Sequence, residues 1–200
     1  LIWEQPEPKE RYVIGVDSAM GTVAGCNSVA VVLNEKLTHK ATLRGRWPPD
    51  IFADKVGRLG KKYHTEGRPA LVVVERNYPG HSVITDLVEA GYPSIYYEID
   101  YKGKPASVLG WITSTRTRSP MISRLAAVIR NEELKTYDSV FIGECMNWVH
   151  QGLDQIPRAP KNQRTDTAMA MAFAVSGIPD MPLLERPPSF YRGPSPLILR

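Results

Sequence analysis

The chain has 200 residues, of which 42% are hydrophobic and 23% are charged, and these near-average fractions exclude a fully disordered chain and a coiled coil. No apolar run approaches the roughly 18 residues of a membrane span, the first residues lack a secretory signal pattern, and two cysteines cannot form a disulfide framework, so a reducing cytoplasm is favoured. The net charge of +4 is compatible with a polyanionic partner but does not require one.

The first part of the chain predicts three strands and a helix. Three β-branched or apolar stretches, at 12–16, 28–33 and 38–44, are joined by short connections, which is typical of an antiparallel meander. Two prolines follow, and apolar residues then recur every three or four positions. This spacing predicts an amphipathic helix that ends near Gly67.

The remainder predicts alternating strands and helices. The continuous apolar run at 70–74 is typical of a strand that is covered on both faces, as in a parallel sheet flanked by helices. A helix at 80–90 and a strand at 94–97 follow. Three further helices are predicted at 120–132, 139–149 and 164–176. This order predicts an α/β domain with a mixed sheet.

Both ends of the chain differ from its body. They are rich in proline and charge and lack periodic apolar patterning. We therefore predict an N-terminal linker arm at 1–11, a folded domain at 12–177 and a C-terminal tail containing Pro and Arg at 178–200.

Two acidic residues stand at the ends of the two most apolar strands. Asp17 follows the first strand and Glu75 follows the fourth. The carboxyl ends of strands are where α/β sheets present functional side chains, and the two carboxylates lie side by side if these strands are neighbours. Like charges at close range destabilise each other unless a cation lies between them, and Mg²⁺ or Mn²⁺ prefers oxygen ligands. Alternatively, each acid caps a loop or pairs with Arg11 or Arg76.

A third acid, Asp166, opens the last predicted helix, which is apolar on every side after its first turn. Such a helix must be buried. Alanines at every second position from Ala168 to Ala174 would let it pack close to the sheet and bring Asp166 toward the strand ends. The alternative is that Asp166 only stabilises the helix dipole or caps free N–H groups.

Basic residues gather in the second half of the chain. Between 101 and 131 there are six basic residues and no acid. On charge alone, a solvated surface and a phosphate-binding surface both remain open. The candidates for phosphate binding in this stretch are Lys102, Lys104, Arg116, Arg118 and Arg124.

Four segments resemble, in the same order, the nuclease domain of the large terminase subunit of tailed bacteriophages. They are YVIGVDSAMG at 12–21, VVVERNYPG at 72–80, GWITSTRTRSPMI at 110–122 and RTDTAMAMAFA at 164–174. The resemblance covers roughly 3–177. It implies a ribonuclease H-like fold, in which three antiparallel strands and then parallel strands form a mixed sheet flanked by helices.

The resemblance also implies an activity and its site. The implied enzyme is a divalent-metal-dependent endodeoxyribonuclease that cuts concatemeric viral DNA during genome packaging, in the cytoplasm of the infected bacterial host. By motif position, the catalytic and metal-binding residues are Asp17, Glu75 and Asp166, which would hold two Mg²⁺ or Mn²⁺ ions. The basic stretch would then contact phosphates of double-stranded DNA.

The family also suggests partners. In the intact protein these are an N-terminal ATPase domain, the portal and the small terminase subunit, and no membrane is involved. The C-terminal tail is either a portal-docking segment or a plain disordered tail. No GxxxxGK[ST] phosphate-binding loop occurs in the chain, so we expect the nuclease domain without the ATPase motor.

The sequence departs from the family pattern at two places. The last block usually carries two adjacent Asp residues, whereas here Thr165 precedes Asp166. The loop before the second strand often carries an Asp where this chain has Asn27. These departures leave open whether the second metal position is complete.

Other functions remain open at this point. The nearest is a Holliday-junction resolvase or a transposase-like nuclease of the same fold. An actin-like or sugar-kinase nucleotide-binding domain would need a second phosphate loop, which is not found in the sequence. An α/β-hydrolase is disfavoured because Ile84 stands where the GxSxG motif around Ser82 needs its second glycine. A non-catalytic DNA-binding module is the last alternative.

Overall fold

The computed structural model describes residues 1–23, 25–99, 105–148, 160 and 163–181, with the backbone alone at 99 and 105–107. Within these ranges there are eight strands and five α-helices. The strands are β1 (Tyr12–Asp17), β2 (Ser28–Asn34), β3 (His39–Gly45), β4 (His64–Thr65), β5 (Arg68–Pro69), β6 (Leu71–Val74), β7 (Tyr97–Ile99) and β8 (Pro105–Leu109). The helices are α1 (Pro49–Lys62), α2 (Gly80–Glu89), α3 (Thr115–Arg130), α4 (Ser139–Met146) and α5 (Asp166–Gly177).

A mixed four-stranded sheet forms the centre of the fold, in the order β3-β2-β1-β6. β1 pairs antiparallel with β2, β2 pairs antiparallel with β3, and β1 pairs parallel with β6. All residues of β2 and β6 are buried, because helices cover both faces of the sheet. The predicted fold class, a meander followed by a parallel strand in a helix-flanked mixed sheet, is confirmed.

The two faces of the sheet build two separate cores. Along β1, Ile14 and Val16 point to the core formed with α1 and α2, whereas Val13 points to the core formed with α3, α4 and α5. This alternation follows from the two-residue period of a strand. The side chain of the residue after Val16 therefore faces α5.

Helix α5 packs closely against β1. Gly15 has no side chain, and a β-carbon there would collide with the backbone of Ala170 and Ala174. At the end of α5, Gly177 lies close to Val13 and to Val73 of β6. The small residues of α5 therefore serve the close approach that the sequence predicts, and the helix runs antiparallel to β1.

The largest differences from the predicted helix boundaries are at the end of α1 and at the start of α3, whereas α4 ends at Met146, three residues before its predicted end. Helix α1 ends at Lys62, before the predicted end near Gly67, because β4 and β5 form a short hairpin in which Gly67 has a φ of +78°. Helix α3 begins at Thr115, ahead of the predicted start at 120, where Ser114 and Thr117 form a capping box. A capping box ending in Thr rather than Glu or Gln is a weaker sequence signal.

The parallel side of the sheet is extended by irregular pairing. Ile95, within the predicted strand at 94–97, forms a parallel bridge to Val72. After the β7–β8 hairpin, Trp111 forms a parallel bridge to Glu75, and the Arg76 amide donates to the Trp111 carbonyl at 2.7 Å. The residues after β6 are thus hydrogen-bonded on both sides, with the Glu75 amide donating to Val16 of β1 and the Arg76 amide donating to Trp111.

The segment predicted as an N-terminal arm lies along the β3 edge of the sheet. Ile2 forms an antiparallel bridge to Ala41, and the Trp3 amide donates to the carbonyl of Lys40. The buried Lys40 ammonium forms ion pairs with Glu4, Glu7 and Glu10. The division into an arm at 1–11, a domain at 12–177 and a tail at 178–200 stays a prediction, and most of that tail lies outside the described residues.

No helix in the described ranges is long and apolar enough to cross a membrane.

Candidate active site

Asp17 and Glu75 lie side by side at one edge of the sheet. Val16 of β1 is in register with Val74 of β6, and the Glu75 amide donates to the Val16 carbonyl at 3.0 Å. Neighbouring strands are separated by about 4.8 Å, and residues in register point to the same face. Both acidic side chains therefore lie on the face that is covered by α5, as the sequence predicts for neighbouring strands.

Asp166 reaches the same place from α5. Ala170 of α5 packs against Gly15 of β1, so the first turn of α5 lies at the carboxyl end of β1, where Asp17 stands. Asp166 is 8% exposed, and its Oδ2 accepts a hydrogen bond of 3.0 Å from the amide of Asn27. The carboxylate therefore points to the β1–β2 loop rather than capping its own helix.

The electrostatics of Asp17 indicate that these acids lie near one another. Burial raises the pKa of the Asp17 carboxyl well above its ordinary value, and the charges of Glu75, Asp166 and Glu144 raise it further. Arg118 acts in the opposite direction and lowers it. Because like charges disfavour ionisation, this group of acids would be stabilised by a cation or by a bound proton.

Glu144 of α4 is the acid that the sequence analysis missed. Its Oε2 accepts from the amide of Ala168 at 2.7 Å, and its Oε1 accepts from the hydroxyl of Thr167 at 3.0 Å. Burial raises the pKa of Glu144, and the Asp166 charge adds to the increase. One sequence signal was present, since Glu144 is the only charged residue in the predicted helix at 139–149.

Carboxylate oxygens are the donors that hard divalent cations prefer, so the chemistry of this set fits Mg²⁺ or Mn²⁺. In the described residues, however, no group of three or more His, Cys, Asp and Glu side chains is arranged so that it could hold a metal ion. Asp17, Glu75 and Asp166 are thus neighbours in a more open arrangement than that of a closed coordination sphere.

The structure separates the basic residues that were predicted to bind DNA. Arg118 of α3 is half-buried, its Nη1 donates to the Met169 sulfur at 3.7 Å, and its charge acts on Asp17. Arg116 is exposed in the first turn of α3, before the predicted start of that helix. Of the three arginines, Arg118 is the one that is half-buried, and its charge lowers the pKa of Asp17.

Arg124 lies elsewhere on α3. It is exposed, and its charge lowers the pKa of Asp180, which burial raises. Lys102 and Lys104 lie outside the described residues.

Several solved structures are similar to the chain. The large terminase nuclease from thermophilic phage G20c with bound magnesium has a TM-score of 0.69 and 21% identity, covering 88% of this chain and 86% of that chain. The same nuclease with bound cobalt has a TM-score of 0.68 and 21% identity, with the same coverage. A further structure of that nuclease has a TM-score of 0.67 and 20% identity, covering 88% and 87%.

Sequence comparisons add nothing to this result, since no protein-family model and no curated protein matches the chain. At such low identity the structural similarity establishes the fold, and it extends over most of both chains. The predicted resemblance to large terminase nucleases is confirmed at this level, and the chain has the fold of those domains.

Proposed function

We propose that the chain is a divalent-metal-dependent endodeoxyribonuclease of the large terminase type, which cuts concatemeric viral DNA during genome packaging. The observation that carries the proposal is the convergence of Asp17, Glu75 and Asp166 on one face at one edge of the sheet. The fold supports it, because the similar solved structures are large terminase nucleases, two of them with bound divalent metals.

In this proposal Asp17 is the central ligand, and Glu75 and Asp166 complete the metal site. Two Mg²⁺ or Mn²⁺ ions held by these residues would activate water and stabilise the departing 3′ oxygen. Cations among these acids would also offset the burial and the like charges that raise the pKa of Asp17.

In the same proposal, the basic residues of α3 contact DNA phosphates at different distances from the scissile bond. Arg118, whose charge acts on Asp17, would hold the phosphate next to the scissile bond. Arg116 and Arg124 would contact phosphates further along the duplex, together with Lys102 and Lys104. Such contacts are independent of sequence and weaken as the salt concentration rises.

The cellular setting follows from the family to which the similar structures belong. We propose double-stranded DNA as the substrate, and an ATPase domain, the portal and the small terminase subunit as partners in the infected cell. The portal-docking role proposed for the tail concerns residues outside the described ranges.

A cleavage assay tests the proposal. The parent chain should cut linear and plasmid double-stranded DNA with Mn²⁺ or Mg²⁺, and cutting should stop when the metal is chelated. Asp17→Asn should remain folded, and its cleavage rate should be at least about 10³-fold lower than that of the parent. Glu89→Gln, at an exposed acid in the last turn of α2, is the matched control and should cut like the parent. Equal cutting by Asp17→Asn would refute the site, and preferential cutting of four-way junctions would favour a resolvase.

A further inference from the structure

The first turn of α5 lacks a side-chain cap of its own. Thr165 stands at the N-cap position without a side-chain hydrogen bond to the helix. The Asp166 carboxylate instead accepts a hydrogen bond from the backbone amide of Asn27. The first N–H groups of any helix have no partner within it. The Ala168 amide finds its partner on another helix, the carboxylate of Glu144 at 2.7 Å.

Thr167 connects this carboxylate to the sheet. Its hydroxyl donates to Glu144 Oε1 at 3.0 Å and accepts from Arg44 of β3, at 2.7 Å from Nη2 and 3.2 Å from Nε. A hydroxyl has one proton to donate and two lone pairs to accept with, so every position on Thr167 is used. Thr167 is fully buried, so these bonds satisfy its hydroxyl away from bulk water.

Arg44 also contacts a carboxylate through the same Nη2 nitrogen that donates to Thr167. Its Nη2 lies 3.2 Å from Oδ2 of Asp138, whose carboxylate is 1% exposed. Oδ1 of Asp138 accepts from the amides of Val140 and Phe141 and so caps α4, the helix that carries Glu144. Asp138 therefore joins β3 to α4, and Thr167 joins both to α5.

We propose that Glu144 and Arg44 are positioning residues that act through Thr167 to hold the first turn of α5, and thereby place the Asp166 carboxylate beside Asp17. The catalytic consequence rests on the proposed nuclease function. The positioning itself does not, because it concerns hydrogen bonds that exist in the protein alone.

Amide hydrogen exchange, measured by NMR on the full chain, tests the positioning without any metal or DNA. In Glu144→Ala, the Ala168 amide loses its acceptor and should exchange at least tenfold faster. The Asn27 amide should also exchange at least tenfold faster, although Glu144 does not touch it, because the Asp166 carboxylate that accepts from Asn27 is no longer held.

Matched variants separate this effect from general damage. Thr167→Val keeps the shape but removes the hydroxyl, and it should reproduce the faster exchange at Asn27. Thr167→Ser keeps the hydroxyl and should behave like the parent, as should Glu89→Ala, which removes an exposed acid of α2. Faster exchange at Ala168 with parental exchange at Asn27 would mean that Glu144 only caps α5 and does not position Asp166. Parental exchange at both amides would refute the network.

Cleavage kinetics provide the second measurement. Glu144→Ala and Thr167→Val should lower kcat at least tenfold, which corresponds to about 1.4 kcal/mol, and leave KM for DNA unchanged. Thr167→Ser should restore the parental kcat. If the parent chain cuts no DNA, the proposed function is refuted, and the exchange experiment alone tests the positioning. If both variants keep the parental kcat, the catalytic consequence of the positioning is refuted.

Discussion

Gly15 of β1 and Ala170 of α5 are in direct backbone contact, so closely that no side chain fits between them. This contact fixes the position of α5 along β1. Since Asp166 lies one turn before Ala170 and Asp17 lies two residues after Gly15, the same contact brings the two acids together.

Gly15→Ala should therefore destabilise the protein and disturb its site. The added methyl group meets backbone rather than a flexible side chain, and overpacking of this kind costs about 1 to 3 kcal/mol. Urea denaturation measures the loss of the free energy of unfolding. Gly143→Ala in α4 is the control, because open space surrounds that position and Ala favours a helix by about 0.5 to 1 kcal/mol. Equal stability of Gly15→Ala and the parent would contradict the close packing of α5.

Arg118 and Arg124 should have different effects on cleavage although both belong to α3. Arg118→Gln removes a basic charge that lowers the pKa of Asp17, and its loss should reduce kcat about 10² to 10³-fold. Arg124→Gln, whose charge acts on Asp180, should weaken DNA binding modestly and reduce the salt slope by about one. Steady-state kinetics at several salt concentrations separate the two effects. Equal losses would contradict the assignment of Arg118 to the site.

The parts of the site that local pattern encodes could be predicted from the sequence. Asp17 and Glu75 each end an apolar run, and Asp166 opens a helix that is apolar on every side. The pairing of β1 with β6 does not follow from these local patterns, because β2, β3 and α1 separate the two strands in the chain and β6 pairs across the sheet from β3.

The residues that packing alone brings together could not be predicted. Glu144 lies 22 positions before Asp166 and Arg44 lies 123 before Thr167, and nothing in their local sequence indicates that α4 and β3 meet at the first turn of α5. The early end of α1 has a similar cause, because the β4–β5 hairpin replaces a helical turn that the apolar spacing permits.

His39 should make stability fall as the solution is acidified. It is fully buried, and burial lowers its pKa from 6.5 to about 4, with Asp138 opposing the shift and Arg44 and the Leu1 amino group adding to it. Below pH 6.5 the unfolded chain therefore binds a proton that the folded chain does not accept until about pH 4. Stability should fall through this window, by up to about 3 kcal/mol for this group.

Urea denaturation at pH 4 to 7 measures this dependence. His39→Gln should be less stable at pH 7, because hydrogen bonds to Thr42 and Thr136 are changed, but its stability should fall less steeply with acid. The difference between the two curves isolates His39 from the carboxylates that titrate in the same range. Parallel curves would show that His39 accepts its proton while folded.

Cys26 should report on access to the candidate site. Its side chain is exposed, and the Asp166 charge is the first cause of its raised pKa, so the thiol lies next to that carboxylate. Modification by a bulky maleimide should therefore block DNA and reduce cleavage at least tenfold. Cys145 is half-buried, and burial raises its pKa to about 12, so it should react more slowly. Cys26→Ala should cut like the parent and resist inactivation, and full activity after complete labelling of Cys26 would place the DNA elsewhere.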